Sequence, residues 1–106
     1  MDLFPKYIIE TNDELGNCLI LGKCSFHKEL ATNIDLVRGG GSYKVDLENK
    51  IFTFYGESFD FGMASLEDVK KAVLEDKVFT NPYLTHSIAK QFKFKYDIGS
   101  EIIDLN

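Results

Sequence analysis

The order of apolar and polar residues in the first part of the chain predicts strands rather than helices. Residues 6–11 are rich in β-branched and aromatic side chains, and residues 12–16 behind them contain turn formers. Residues 18–21 are apolar at consecutive positions, which is typical of a central strand covered on both faces. We therefore expect two strands here, in a sheet that has layers on both sides or is strongly curved.

A second region alternates apolar and polar residues with a period of two. Tyr43, Val45 and Leu47 alternate with polar residues, and a turn around residues 48–50 returns the chain into residues 51–55. This pattern predicts a β-hairpin.

The end of the chain carries a weaker form of the same alternation. Phe92, Phe94 and Tyr96 alternate with lysines, which predicts another strand. Ile102 and Ile103 behind it are expected to pair as a short edge.

One helix is predicted between these strands. Ser65 and Asp68 have the spacing of a capping box, and apolar residues repeat at helical spacing as far as Val73. The expected helix runs from about residue 66 to residue 75.

Two further helical segments are expected. Residues 25–33 begin with Ser25 as a possible cap, and two helical turns there place Phe26 and Leu30 on one face. The second segment starts at Asn81-Pro82, and its apolar stripe consists of Leu84, Ile88 and Phe92.

Together these elements predict an α+β fold with a mainly antiparallel twisted sheet of about five to six strands and two or three short helices. The chain has 106 residues, 44% of them hydrophobic, which is enough for one domain with its own core. No linker or repeat divides residues 1–106. Met63 and the phenylalanines are assigned to this core.

Charge and cysteine content exclude several classes of function. The net charge is −5 and lysines and arginines are not clustered, so nucleic acid is not an expected partner. No apolar run approaches the roughly 20 residues that span a bilayer, and a signal peptide is not evident, so we expect a cytoplasmic protein without membrane contact. Cys18 and Cys24 lack metal-binding spacing and are interpreted as reduced. No metal or other cofactor is expected.

Two features carry possible chemistry. His27 is the main candidate for proton transfer because the unperturbed pKa of histidine lies near 6.5, and His86 lies inside the second predicted helix. The run Gly39-Gly40-Gly41 has two open interpretations. Glycine-rich loops hold phosphates with backbone amides, but glycines also release a strand from steric constraint.

The order of several short motifs resembles the janus/ocnus family of protein-histidine phosphatases. The matching residues span roughly positions 6 to 75 and are Lys6-Tyr7, Phe26-His27, Gly39-Gly40-Gly41, Tyr55-Gly56-x-Ser58 and Phe61-Gly62. The resemblance implies that His27 is catalytic. It also implies that Lys6, the amides following His27, and Ser58 with its neighbouring loop amides hold the phosphoryl oxygens. Lys28 and Asp60 are further candidates for substrate contacts, and Gly56 and Gly62 are expected to be structural glycines.

The function expected from this resemblance is metal-independent hydrolysis of phosphohistidine or another phosphoramidate, with His27 as nucleophile or acid/base. The partner would be a phosphorylated protein or a small phosphorylated ligand. A second interpretation is a non-catalytic bacterial or phage module that binds a protein partner or a phosphate- or nucleotide-type ligand. Whether the protein is an enzyme stays open at this point, as does a purely structural role for the glycines.

Overall fold

The chain forms one mixed sheet of seven strands that curls into a half-barrel, with one α-helix among the residues described. The computed structural model describes residues 3–81, 87–88 and 91–106. The strands are β1 (Phe4–Asn12), β2 (Gly16–Cys24), β3 (Val37–Asp46), β4 (Ile51–Tyr55), β5 (Val78–Thr80), β6 (Lys93–Asp97) and β7 (Ile102–Asp104). The helix is α1 (Leu66–Leu74), and 3₁₀ turns cover His27–Leu30 and Ile34–Leu36. The strand order is β5-β2-β1-β3-β4-β6-β7.

The predicted fold class is therefore wrong in strand number and in pairing. β2 pairs with β5 and β4 pairs with β6 in parallel, whereas the other neighbours are antiparallel. Parallel pairing requires a long connection that brings the chain back to the starting end of the sheet. β5 has only three residues, which is too short to show an alternation of apolar and polar positions, so this parallel edge could not be predicted from a local pattern.

Several local predictions are confirmed. The hairpin of β3 and β4 pairs Ser42 with Tyr55 and Asp46 with Ile51. The helix α1 begins after Ser65, whose Oγ accepts a 3.1 Å hydrogen bond from the amide of Asp68. The first two strands and the last two strands also form where the alternation predicts them. The second predicted helix, with Pro82 to His86 near its start, lies largely outside the described residues.

The predicted two-turn helix at residues 25–33 is instead a single 3₁₀ turn, His27–Leu30. The backbone is already extended at Ala31. The buried carboxylate of Glu10 on β1 accepts hydrogen bonds from the amides of Thr32 at 2.8 Å and Asn33 at 3.0 Å. A helix that continued through Thr32 would need its amide for an internal bond, so the tertiary contact with Glu10 ends the helix early.

Apolar side chains cover both faces of the sheet. Tyr7 and Ile9 point to the face that packs against α1, together with a group of stacked aromatic rings from β4 and β6. Ile8 and Ile20 point to the other face, where Leu30 of the 3₁₀ turn covers them. The candidate site lies on this second face.

Candidate functional site

The triple glycine lies inside β3, between two strands that approach it closely. A methyl group on Gly40 would lie 2.4 Å from the carbonyl oxygen of Tyr7, and one on Gly41 would lie 2.6 Å from that of Tyr55. Both distances are far below van der Waals contact, so these positions have room only for glycine. The amide of Gly40 donates to the carbonyl of Gly62 at 3.0 Å, so this amide is already used within the protein. The observed geometry favours the structural interpretation of the glycines.

The imidazole of His27 packs directly on this glycine strand. Its Cδ2 atom would lie 3.2 Å from a methyl group on Gly40, and its Nε2 atom lies 2.7 Å from the carbonyl oxygen of Gly41. A carbonyl oxygen can only accept, so Nε2 carries the proton and donates this hydrogen bond. In the neutral ring the other nitrogen, Nδ1, is then an acceptor.

The environment of His27 favours the neutral ring. Only 5% of the residue is exposed, and this burial is the largest cause of a lowered pKa. The hydrogen bond to Gly41 raises the pKa, the ammonium of Lys6 lowers it further, and the carboxylate of Asp60 raises it. Because the net effect is a pKa below the ordinary value of 6.5, the ring is neutral at pH 7 and its Nδ1 holds a free electron pair.

A pocket of about 390 Å³ lies beside this ring. Its lining comes from β1, the start of the 3₁₀ turn and the loop after β4, and consists of Lys6, Ser25, Phe26, His27, Glu57, Phe59 and Asp60. Three residues selected from the sequence are thus brought together, namely His27, Lys6 and Asp60.

Ser58 and Lys28, which were also selected, do not line this pocket. Ser58 is buried, its amide lies 3.1 Å from the carbonyl oxygen of Gly40, and its Oγ accepts a hydrogen bond from the amide of Phe61 at 3.1 Å. Ser58 therefore holds its own loop against β3. The ammonium of Lys28 lies 5.6 Å from the centre of the exposed Phe26 ring.

The two backbone amides that precede His27 in the sequence already make hydrogen bonds within the protein. One oxygen of the Glu29 carboxylate accepts hydrogen bonds from the amides of Ser25 at 3.0 Å and Phe26 at 3.4 Å. A bound anion would have to use donors other than these two amides. Among the described residues, Lys6 contributes a cationic side chain to the pocket.

Sequence reasoning missed two lining residues, Glu57 and Phe59. Phe59 is fully exposed and Met63 is half exposed, so assigning both to the core was wrong. The sequence pattern that indicates the exposure of these side chains is the short spacing between Gly56 and Gly62. In the structure these glycines have φ values of +72° and +77°. Such positions mark a tight turn, and a side chain at the tip of a turn faces solvent.

Other sites receive no support within the described residues. No group of three or more His, Cys, Asp or Glu side chains there is placed to hold a metal ion. In the same part of the chain, no helix is long and apolar enough to cross a membrane. His86 lies outside the described residues.

In comparisons with known proteins, no family model, curated protein or solved structure matches this chain.

Proposed function

We propose that the pocket beside His27 binds a phosphoryl group and that the protein hydrolyses phosphohistidine or another phosphoramidate without a metal ion. The observation that supports this most is the 2.7 Å hydrogen bond from His27 Nε2 to the Gly41 carbonyl. That bond fixes the tautomer and orientation of the ring, which is how a histidine is prepared for nucleophilic or base catalysis. The resemblance of the short motifs to the janus/ocnus family supports the same activity.

The chemistry uses the free electron pair of His27 Nδ1. In nucleophilic catalysis Nδ1 forms a bond to phosphorus while the P–N bond of the substrate breaks. The electron pair of the P–N bond leaves with the amine nitrogen, which then takes a proton from solvent. Water then hydrolyses the phosphorylated ring and releases inorganic phosphate. In base catalysis the same Nδ1 instead removes a proton from the attacking water. Both routes require a neutral ring, and the lowered pKa of His27 provides one at pH 7.

Lys6 supplies the positive charge for the phosphoryl oxygens. It lines the same pocket, and no carboxylate of the described residues lies within 4 Å of its ammonium. An ammonium next to the phosphoryl group stabilises the negative charge on its oxygens during transfer. Lys6 is therefore expected to act on both substrate affinity and rate.

Steady-state release of phosphate from phosphoramidate at pH 7 tests this proposal. His27→Gln keeps an amide that can donate to Gly41 but has no basic nitrogen, so we expect its turnover to fall by at least about 10²-fold. Lys6→Gln should lower kcat/KM by about tenfold or more. Lys44→Gln removes an exposed lysine of β3 that does not line the pocket, and it should behave like the wild type. Equal turnover in the wild type and in His27→Gln would contradict the proposal.

A non-catalytic binding module is the second candidate. The observation that favours it is the exposure of two aromatic rings at the pocket, Phe26 and Phe59, because exposed aromatic side chains are common in binding surfaces. Calorimetric titration with inorganic phosphate and ATP separates the two candidates. Saturable binding without any phosphoramidate turnover supports the module, and a flat titration removes its ligand-binding form.

The proposal includes a cytoplasmic location. Cys18 and Cys24 are both buried free thiols, and burial raises the pKa of each, which keeps them protonated and unreactive. Thiols in this state are compatible with a reducing compartment.

A further inference from the structure

The charges around the His27 pocket are of both signs and are not paired with one another. Lys6 lines one part of the pocket, and Glu57 and Asp60 line the part formed by the loop after β4. Within the described residues, none of these three groups takes part in an ion pair shorter than 4 Å. The pocket is therefore bordered by charges of both signs.

The same loop presents an aromatic ring on a fixed backbone. The amide of Ser58 donates to the carbonyl of Gly40, and the amide of Gly62 donates to the carbonyl of Ser58 at 2.9 Å. These bonds anchor both ends of the turn that carries Phe59, whose side chain is fully exposed. The face of an aromatic ring attracts an organic cation placed within about 6 Å of its centre, and Phe59 offers such a face at the pocket that Glu57 and Asp60 also line.

We infer that the ligand of this pocket is zwitterionic and carries an ammonium group beside its phosphoryl group. This inference rests on the proposed function for its phosphoryl half, which Lys6 and His27 contact. Glu57 and Asp60 weaken the binding of a phosphate alone, because like charges repel each other. A cationic group in the same molecule turns that repulsion into attraction, and the Phe59 ring adds to it. The chemical class is a soluble compound with a terminal phosphoryl group and a cationic group, and amino-alcohol phosphate monoesters are analogues of it without a P–N bond to break.

Calorimetry with two isosteric probes tests the inference. Phosphocholine carries a quaternary ammonium, and 3,3-dimethylbutyl phosphate has the same shape with carbon in place of the nitrogen. We expect phosphocholine to bind the wild type about tenfold more tightly, which is the effect of two partly exposed charge contacts and one cation–π contact. Equal affinities for the two probes would overturn the inference while leaving the proposed function in place.

Variants of the loop assign the preference to named residues. In Glu57→Gln/Asp60→Asn the preference for phosphocholine should fall to less than about threefold, and 3,3-dimethylbutyl phosphate should bind at least as tightly as before. Phe59→Ala should weaken the binding of phosphocholine by about threefold and leave that of 3,3-dimethylbutyl phosphate, which has no cationic group, unchanged. Glu14→Gln, which removes an exposed carboxylate in the β1–β2 turn, is the matched control and should keep the full preference. A preference that survives in the double variant would overturn the assignment to these carboxylates.

Further titrations distinguish a free phosphate compound from a lipid headgroup, and this inference from the proposed function. Glycerophosphocholine, a diester like a lipid headgroup, should bind less tightly than phosphocholine, and tighter binding would overturn the assignment of a terminal phosphoryl group. Binding of choline chloride without binding of either phosphate monoester would overturn the proposed function and the phosphoryl half of this inference. A flat titration with every probe would overturn both.

Discussion

The imidazole of His27 donates a 2.7 Å hydrogen bond from Nε2 to the backbone carbonyl of Gly41, fourteen residues further along the chain. Gly41 lies in a central strand, so the bond joins the 3₁₀ turn to the most constrained part of the sheet. The ring is buried against this strand and is held as the neutral tautomer with Nδ1 as an acceptor.

The pH dependence of stability should report the burial of His27. The pKa of His27 is 6.5 in the unfolded chain and lies below 6.5 in the folded protein, chiefly because of burial. At a pH between the folded and the unfolded pKa, the unfolded state therefore binds more protons than the folded state. The free energy of unfolding should therefore have its full value above about pH 6.5 and should decrease as the pH falls from there through the pKa of the folded state. Lys6 and Asp60 act on the ring in opposite directions, and Glu57 also lines the pocket. Urea unfolding of the wild type between pH 5 and pH 8 measures this dependence.

His27→Gln is the control for that experiment, because it keeps a donor for Gly41 but does not titrate. The loss of stability between pH 6.5 and pH 5 should be smaller in this variant than in the wild type. Identical slopes in the two proteins would show that His27 titrates as freely when folded as when unfolded.

Gly40→Ala should destabilise the fold severely. The added methyl group would lie 2.4 Å from the carbonyl oxygen of Tyr7, so β1 and β3 must separate, at a cost of about 3 kcal/mol. Gly56→Ala is the comparison, because its added methyl group would have no atom within 4 Å. The only cost of this substitution is the backbone strain of a φ of +72°, about 1 kcal/mol. Chemical denaturation of both variants gives the difference, and similar losses would contradict the close approach at Gly40.

Two buried tyrosines should respond differently to removal of their hydroxyl groups. The hydroxyl of Tyr96 donates a 2.7 Å hydrogen bond to the carbonyl of Ala64, so Tyr96→Phe should cost about 1.5 kcal/mol. The hydroxyl of Tyr7 lacks a partner with good hydrogen-bond geometry among the described residues, although burial and the nearby Tyr96 raise its pKa. Tyr7→Phe should change the free energy of unfolding by no more than about 0.5 kcal/mol, or increase it. The reverse order of the two effects in thermal or urea unfolding would refute this assignment of hydrogen bonds.

Glu10 should prove to be a structural carboxylate. Its oxygens accept hydrogen bonds from the amides of Thr32 and Asn33 and from the Thr32 hydroxyl. Glu10→Leu leaves these donors without their acceptor and should lower the free energy of unfolding by about 2 kcal/mol. Glu14→Gln, at an exposed position, should stay within about 0.5 kcal/mol of the wild type. A Glu10→Leu protein as stable as the wild type would contradict this role.

Local patterns predicted the elements whose residues are close together in sequence. The hairpin of β3 and β4 and the capped start of α1 at Ser65 depend on turn formers and periodicity within a few residues of each other. The overall sheet was not predictable in this way. The pairing of β2 with β5 joins segments about sixty residues apart, and β5 is only three residues long.

The same distinction applies to the site. His27 and Lys6 were selected from the sequence and do share a pocket. Ser58 was selected as well, but its amide and hydroxyl anchor its own loop, which depends on contacts with Gly40 and Phe61 that no local pattern reveals. Phe59 was missed because hydrophobicity alone assigns a phenylalanine to the core, whereas the tight turn places it in solvent.

Long-range ¹H–¹⁵N correlation spectra of histidine-labelled protein, recorded at pH 7 with and without inorganic phosphate, test the central claim most directly. A His86→Gln variant assigns the two rings. The account predicts that His27 is a neutral ring protonated at Nε2, and that the Nδ1 resonance of His27 shifts saturably as phosphate is added. A ring protonated at Nδ1, or an Nδ1 resonance that does not respond to phosphate, would contradict it.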